Sequence, residues 1–205
     1  MTSEHRPRVL VLVMAAGFSR RFGITDKRTA ILADGRSLLA ATLSQLSSPT
    51  GASYQLAVVI RPEDDVVALG IPEHLRVLRA PAAADGLGAS IADAVRAVAD
   101  DAAFADVDSL AIMLGDMPAI HADTLTALID AASRGQIVRP RYRDQPGHPV
   151  LFGRDFWGEL GGLSGDEGGR TLLKANADCL LYIDLDDGGV VADIDTPEQL
   201  AQLSH

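Results

Sequence analysis

The chain has 205 residues, of which 47% are hydrophobic and 22% charged, and its formal net charge is −10 at pH 7. This length fits one domain with a substantial core, and the hydrophobic fraction excludes a disordered chain. The excess of acidic residues argues against nucleic acid or an anionic membrane surface as the main partner.

The protein is expected to be soluble and cytoplasmic. Its longest apolar run, residues 9–16, is far shorter than the roughly 20 residues that a membrane-spanning helix needs. Residues 1–8 show no signal-peptide pattern. The single cysteine, Cys179, excludes an internal disulfide and a thiolate metal cluster, and its apolar neighbours predict an inert core thiol.

Strands and helices are predicted to alternate along the first two thirds of the chain. Apolar runs predict strands at residues 9–14, 56–60, 76–78 and 109–114. Helical spacing predicts helices at residues 37–47, 64–69 and 89–98, and one that carries Leu125, Leu128 and Ile129. This alternation predicts an α/β fold of the Rossmann-like type, with a mostly parallel sheet and helices on both faces.

The pattern changes after about residue 136. Short strands are predicted there at residues 137–138, 149–152, 180–183 and 190–191. We expect a single domain over residues 1–205, in which residues 136–192 form a subregion folded against the core. Because parallel sheets bind ligands beyond the carboxyl ends of their strands, the site is expected just after Met14, Leu114 and the last strand.

The loop after the first strand combines small and basic residues. Residues 15–27 read AAGFSRRFGITDK. Small residues let the backbone approach a ligand closely, and the free amides of such a loop bind anions. Ser19, Arg21 and Lys27 add donors and positive charge. The loop matches neither common glycine-rich phosphate motif, but it is predicted to bind phosphate, the alternative being a basic surface loop.

Two aspartates are candidate metal ligands. Asp116 follows the fourth predicted strand and is kept extended by a nearby proline, the alternative being a turn aspartate. Asp195 precedes Thr196, Pro197 and Gln199, which are predicted to cap the last helix. Because Thr196 supplies the cap, the Asp195 carboxylate is available to the site, although a role in the helix turn alone is the alternative.

These motifs resemble the MobA-like nucleotidyltransferase family, especially its molybdenum cofactor cytidylyltransferases. The resemblance rests on A-A-G-x-S-x-R-x-G-x-x-x-K at residues 15–27, G-D-M-P at 115–118 and D-x-D-T-P-E at 193–198. Ala16 is similar to the cytidylyl branch, whereas the guanylyl branch carries two glycines there. The chain departs from the family at Phe22, where methionine is usual, and at Arg28, where leucine is usual.

Further stretches match the same family. G-L-G-A-S at residues 86–90 resembles a loop that contacts the nucleotide near the base, although a glycine helix start explains it nearly as well. Residues 147–152 and 165–170 resemble the acceptor side of the cytidylyltransferases. This likeness implies acceptor contacts for His148 and Arg170, with a structural role as the alternative for His148.

Three alternating arginines, Arg139, Arg141 and Arg143, are expected to share one face of a strand. There they would either receive an anionic acceptor or form a solvated edge strand.

The resemblance implies nucleotidyl transfer, in which an acceptor phosphate attacks the α-phosphorus of a nucleoside triphosphate. It implies catalytic roles for Arg21, Lys27 and Asp116, and Mg²⁺ bound by Asp116 and Asp195, with Asp193 as the alternative second ligand. Nucleotide contacts are implied for Ala15, Ala16, Gly17, Ser19, Arg21, Lys27, Gly86, Leu87 and Ser90.

The resemblance also implies CTP as the donor, molybdopterin as the phosphorylated pterin acceptor, and a recipient molybdoenzyme or its chaperone as a partner. The alternatives are GTP as the donor and another phosphorylated molecule as the acceptor. One alternative from another class is NAD(P)H-dependent reduction of a quinone-like molecule, as in a nicotine blue oxidoreductase, but no dinucleotide fingerprint is present. Another is a non-catalytic cofactor carrier, against which the retained metal ligands argue.

Overall fold

The described part of the chain is built around one eight-stranded sheet. The computed structural model describes residues 7–18, 22, 25–47, 54–166 and 168–202. Of the predicted site residues, Ser19 and Arg21 lie outside these described residues.

Most strands of the sheet run in one direction. The order is β3-β2-β1-β4-β7-β5-β6, and β8 also pairs with β5. Strands β1 to β4 are parallel, and β7 reverses direction between β4 and β5, so that β5 and its parallel partner β8 again run with β1. The strands are β1 (Val9–Met14), β2 (Tyr54–Ile60), β3 (Arg76–Arg79), β4 (Ser109–Leu114), β5 (Ile137–Tyr142), β6 (Gln145–Pro146), β7 (Val150–Gly153) and β8 (Leu180–Asp184).

The helices flank this sheet. They are α1 (Leu38–Leu46), α2 (Leu87–Asp100), α3 (Ala122–Asp130), α4 (Trp157–Leu160), α5 (Arg170–Ala175) and α6 (Pro197–Gln202). Helix α1 begins after Ser37, whose hydroxyl accepts a hydrogen bond from the N–H of Ala40 at 3.2 Å. The predicted helices 37–47 and 89–98 correspond to α1 and α2.

The central strand β1 is buried on both faces, as its continuous apolar run predicted. Its even-numbered residues pack with α2 in one hydrophobic cluster, and its odd-numbered residues pack with α1 and α3 in a second. Helices therefore cover both faces, and the predicted Rossmann-like, mostly parallel α/β fold is confirmed.

The predicted helix at residues 64–69 is wrong, because residues 64–65 are irregular and residues 66–69 form turns. The Asp64 carboxylate accepts a hydrogen bond from the N–H of Arg61, and the Asp65 carboxylate accepts from the N–H of Val67. Such bonds from side chain to local backbone compete with helix formation. The apolar spacing alone could not show this competition.

The predicted strand at residues 190–191 is also wrong, because Gly188–Val191 form a 3₁₀ turn. The buried Asp187 carboxylate holds this turn, accepting from the N–H of Gly189 at 2.8 Å. Its other oxygen accepts from the N–H of His121 at 2.9 Å and from the Thr124 hydroxyl at 2.6 Å, at the start of α3. Asp187 therefore joins the last segment of the chain to the segment that follows β4.

Of the three alternating arginines, Arg139 and Arg141 share a face of β5 as predicted, whereas Arg143 does not belong to the strand. Arg143 lies in the turn after β5 with φ 48°, and its guanidinium stacks on the Tyr142 ring. Arg141 pairs with Asp184 of β8, while the Nε of Arg139 donates to the carbonyl of Gly147. A solvated edge is excluded for β5, because it lies between β7 and β8.

Two further expectations concern the single cysteine and membrane-spanning helices. Cys179 is half-buried and packs against the cluster that contains α2. Among the described residues, none of the helices combines the length and apolar character that crossing a membrane requires.

Replacement of Asp187 tests how much its hydrogen bonds to the start of α3 and to the turn at residues 188–191 stabilise the protein. Asp187→Ala leaves the buried N–H of Gly189, the buried hydroxyl of Thr124 and the partly buried N–H of His121 without their acceptor, so we expect a loss of about 3 kcal/mol in the free energy of unfolding. Thermal and urea unfolding measure this loss. Asp34→Ala removes a half-exposed surface carboxylate and is the control; equal losses for both variants would contradict the role given to Asp187.

Candidate functional site

A cavity of about 490 Å³ opens at the carboxyl ends of β1 and β4. Its walls come from the loops after these two strands, from the start of α2 and from Asp195. Among the residues named from the sequence, this cavity collects Ala15, Ala16, Gly17, Lys27, Gly86, Leu87, Ser90, Asp116 and Asp195. The predicted position at the end of the parallel strands is therefore where these residues meet.

Three charged groups from distant parts of the chain meet in this cavity. The Nζ atom of Lys27 lies 2.5 Å from Oδ2 of Asp116 and 3.1 Å from Oδ1 of Asp195. Lys27 and Asp116 are largely buried, with side-chain exposures of 11% and 17%. The structure thus places the predicted lysine between the two predicted metal ligands.

This cluster contains more acid than base. Burial raises the pKa of the Asp116 carboxyl, the Lys27 ammonium offsets only part of this rise, and the charge of Asp193 adds to it. Burial disfavours the Lys27 ammonium, but the carboxylates of Asp116 and Asp195 outweigh that effect and raise the pKa of Lys27. An additional cation would relieve the excess negative charge.

The donor atoms present fit a divalent cation. Oδ1 of Asp116 is buried and accepts no hydrogen bond from the described residues. Carboxylate oxygens are hard ligands, and Mg²⁺ commonly binds to one or two of them while phosphates and water fill its other positions. The described residues contain no preformed group of three or more metal-binding side chains, so Asp116 and Asp195 form a partial site of this kind.

The segment before α6 brings Asp195 to Asp116. The N–H of Ile194 donates to the backbone carbonyl of Asp116 at 3.1 Å. The predicted capping box is present, since Thr196 Oγ1 accepts from the N–H of Gln199 at 3.3 Å and Gln199 Oε1 accepts from the N–H of Thr196 at 2.9 Å. Thr196 thus supplies the cap, and the Asp195 carboxylate pairs with Lys27.

The start of α2 is shaped by a close contact with the segment at residues 164–166. The N–H of Gly88 donates to the carbonyl of Gly165 at 2.8 Å. A Cβ atom on Gly86 would lie 2.3 Å from Oδ1 of Asp166, and Gly86 also has φ 115°. Gly86 is therefore required both as a helix start and for the close approach, and the Ser90 hydroxyl donates to its carbonyl at 3.1 Å.

A second cavity, of about 420 Å³, adjoins the first. Leu87, Leu114 and Asp166 line both cavities. The two predicted acceptor residues, His148 and Arg170, lie in the second cavity together with Arg139 and Asp193. The structure therefore separates the residues predicted for the nucleotide from those predicted for the acceptor, with a shared wall between them.

His148 lies at an irregularity between β6 and β7. The N–H of Gly147 donates to the carbonyl of Pro140, and the N–H of His148 donates to the carbonyl of Val190 at 2.8 Å. Burial lowers the pKa of His148, and the positive charge of Arg139 lowers it further. His148 is therefore neutral near pH 7, and it cannot supply positive charge to an anionic acceptor.

The sequence did not reveal one group of residues beside the first cavity. Arg28 lines that cavity, and its guanidinium pairs with the carboxylates of Asp26 and Asp64. Arg61 binds the backbone of the loop after β1. The only available signal was Arg28 itself, which stands where the resembling family usually has leucine.

The cavity that holds Lys27, Asp116 and Asp195 lies at the carboxyl ends of β1 and β4, where a parallel α/β sheet binds its ligand. A sequence profile of the MobA-like NTP transferase domain matches residues 11–179. The chain belongs to this family, as the motifs predicted, and it is a nucleotidyltransferase of the MobA-like type.

Known proteins support this assignment. The purine catabolism protein PucB of Bacillus subtilis (strain 168) is 29% identical, with 94% of each chain covered. The structure of Rv0371c from Mycobacterium tuberculosis H37Rv is 28% identical with a TM-score of 0.78, covering 97% of this chain and 98% of that chain. Rv0371c has also been solved in complex with manganese, at 25% identity, a TM-score of 0.74 and the same coverage.

A more distant structure shows the fold alone. A nucleotidyl transferase from Methanothermobacter thermautotroptrophicus is 19% identical with a TM-score of 0.75, covering 96% of this chain and 95% of that chain. The manganese complex of Rv0371c agrees with the expectation of a divalent metal in this family, while the choice of Mg²⁺ remains a prediction.

The buried His148 predicts a loss of stability in acid. Its pKa is lowered in the folded protein, so the unfolded chain binds more protons and stability falls as the pH drops through the ordinary histidine range near 6.5. We expect His148→Gln to lose less thermal stability than the wild type between about pH 7.5 and about pH 5.5. The exposed His121 is the control position, and equal acid sensitivity of the wild type and His148→Gln would contradict the prediction.

Proposed function

We propose that the protein transfers CMP from CTP to the phosphate of molybdopterin and releases pyrophosphate. The observation that carries this proposal is the contact of Lys27 with Asp116 and Asp195 beside the wall shared by the two cavities. One cavity then takes the triphosphate and the other takes the acceptor. The α-phosphate of the donor and the phosphate of the acceptor would meet where the two cavities adjoin.

On the donor side, the loop after β1 would bind the β- and γ-phosphates. Ala15, Ala16 and Gly17 line the first cavity with small side chains, which allows phosphate oxygens to reach backbone N–H groups. Ser19 and Arg21 are proposed to add further donors. Lys27 would hold the α-phosphoryl group and stabilise the negative charge that develops there.

Asp116 and Asp195 are proposed to hold Mg²⁺. When bound, the ion would neutralise phosphate charge in a cluster where carboxylates outnumber the single ammonium of Lys27. The carboxylates and the lysine also fix the position of the α-phosphoryl group relative to the second cavity. The chain's own contribution to rate is then positioning and charge stabilisation.

On the acceptor side, the second cavity would receive the phosphorylated pterin. Arg139 and Arg170 supply positive charge there, and His148 contributes a neutral ring. A terminal phosphate is mostly dianionic at pH 7 and needs no general base. One of its oxygens bonds to the α-phosphorus while the bond from the α-phosphorus to the bridging oxygen breaks and pyrophosphate leaves. A recipient molybdoenzyme or its chaperone is the proposed partner for the product.

The choice of donor and acceptor is tested by pyrophosphate release. Each of the four nucleoside triphosphates is supplied with Mg²⁺, with molybdopterin present or absent. Release with CTP that depends on molybdopterin is expected. Release with GTP would retain nucleotidyl transfer and overturn the donor, release without molybdopterin would overturn the acceptor, and no release from folded protein with any donor would overturn the proposed function.

Asp116 is expected to be essential for turnover. Asp116→Asn removes the charge beside Lys27 and should lower the rate of pyrophosphate release by about 10²–10³ while the protein stays folded. The steady-state rate and the thermal unfolding curve are measured together. Asp34→Asn makes the same replacement of a carboxylate by an amide at the surface and should keep the wild-type rate. If Asp116→Asn releases pyrophosphate as fast as the wild type, Asp116 has no role in the mechanism.

The second metal ligand is tested by comparing two aspartates. Asp195 contacts Lys27 directly, whereas Asp193 lines the second cavity. We therefore expect Asp195→Asn to weaken Mn²⁺ binding about tenfold or more, and Asp193→Asn to weaken it much less. Electron paramagnetic resonance of free Mn²⁺ in the presence of nucleoside triphosphate measures both. A larger loss with Asp193→Asn would assign the ligand to Asp193.

A further inference from the structure

Arg28 lines the first cavity, but its charge is already bound within the protein. Its Nε and Nη2 atoms donate to the Asp26 carboxylate at 2.9 and 2.6 Å, and Nη2 and Nη1 donate to the two oxygens of Asp64. Nη1 also donates to the carbonyl of Ala15 at 2.7 Å. Since a guanidinium has five N–H groups, these contacts occupy all of them. Arg28 therefore has no donor left for a phosphate.

Arg61 continues the same arrangement along the loop. Its Nε donates to the carbonyl of Ala16 at 3.2 Å, and its Nη2 donates to the carbonyl of Gly17. Its backbone N–H donates to Oδ2 of Asp64 at 2.9 Å. The Asp64 side chain, only 8% exposed, is thus the link between the two arginines.

The two guanidinium groups hold three successive carbonyls of the loop. In a trans peptide, the carbonyl of one residue and the N–H of the next point in opposite directions. Binding of these carbonyls therefore turns the N–H groups of Ala16, Gly17 and Phe18 away from the arginines. Within the described part of the chain these three N–H groups have no hydrogen-bond acceptor, and their residues line the first cavity.

We propose that Arg28 and Arg61, linked through Asp64, are positioning residues that hold the loop after β1 so that its N–H groups face the triphosphate. This inference rests on the proposed function. Arg28 has no N–H group left for the phosphates, and Arg61 is not among the described residues that line the first cavity. Successive N–H groups that point into one concavity bind anions, and fixing them in advance removes the cost of ordering the loop when the nucleotide binds.

This arrangement makes a prediction opposite to that of simple charge attraction. Asp64→Asn removes a negative charge near the cavity, so charge attraction alone would tighten phosphate binding. If Asp64 instead holds the arginines on the loop, its loss weakens binding. Arg61→Lys also separates the two explanations. It keeps the positive charge, so charge attraction alone predicts unchanged binding, but one ammonium replaces the planar group that reaches two carbonyls, so loss of the loop contacts predicts weaker binding.

The test measures binding of inorganic pyrophosphate, of each nucleoside triphosphate and of CMP by isothermal titration calorimetry with Mg²⁺. We expect Asp64→Asn and Arg61→Lys each to weaken pyrophosphate and triphosphate binding about tenfold or more, with CMP binding nearly unchanged. Asp34→Asn removes a surface charge from the Asp34–Arg36 pair and is the matched control. Thermal unfolding verifies that each variant is folded.

The outcomes separate this inference from the proposed function. If the wild type binds no triphosphate and no pyrophosphate, the proposed function fails and the inference fails with it. If the wild type binds them and both variants bind equally well or more tightly, the inference alone is overturned. Should Asp64→Asn not fold, Arg61→Lys decides the question, because unchanged pyrophosphate binding by that variant overturns the inference.

Discussion

The structure of the site depends on one buried interaction, the contact of Lys27 with Asp116 and Asp195. The partners lie 89 and 168 residues from Lys27 in the sequence, so only the tertiary fold brings them together. Parallel pairing of β1 with β4 brings the first two loops side by side, and the bond from Ile194 to Asp116 adds the third group. A buried charge without its partner is costly, so each group also stabilises the positions of the others.

The charge around this contact explains how an acidic protein can bind a triphosphate. The positive charges of Arg28 and Arg61 are matched by Asp26 and Asp64; Arg28 holds the pKa of both carboxyls below the ordinary range despite their burial. Among the described residues of the first cavity, Lys27 is then the cation to which the proposed function gives the α-phosphoryl group, although its ammonium is itself paired with Asp116 and Asp195. In the proposed function, backbone N–H groups and a bound divalent ion would supply the rest, so the net charge of −10 does not exclude this ligand.

The sequence predicted the parts of the fold that local pattern determines. Strands 9–14 and 109–114 agree with β1 and β4 to the residue, because their apolar runs are continuous and both faces are covered. The start of α2 was placed two residues late, since contact with the distant segment 164–166 determines it. The false helix at 64–69 has helical apolar spacing, but the Asp65 carboxylate accepts hydrogen bonds from the N–H groups of Val67 and Ala68. Lys27, Asp116 and Asp195 could be named from motifs, whereas their contact required the topology.

Arg28 shows why burial and hydrogen bonding must be known before a basic residue is assigned to a phosphate. In the sequence it stands beside Lys27 in a basic loop, where leucine is usual in the resembling family, and charge alone would make it a phosphate ligand. In the structure all its N–H groups are used by Asp26, Asp64 and Ala15. A leucine could not bind the Ala15 carbonyl, and it would remove the guanidinium that pairs with both carboxylates. These residues therefore form one unit, and a chain with leucine at this position must hold its loop by other contacts.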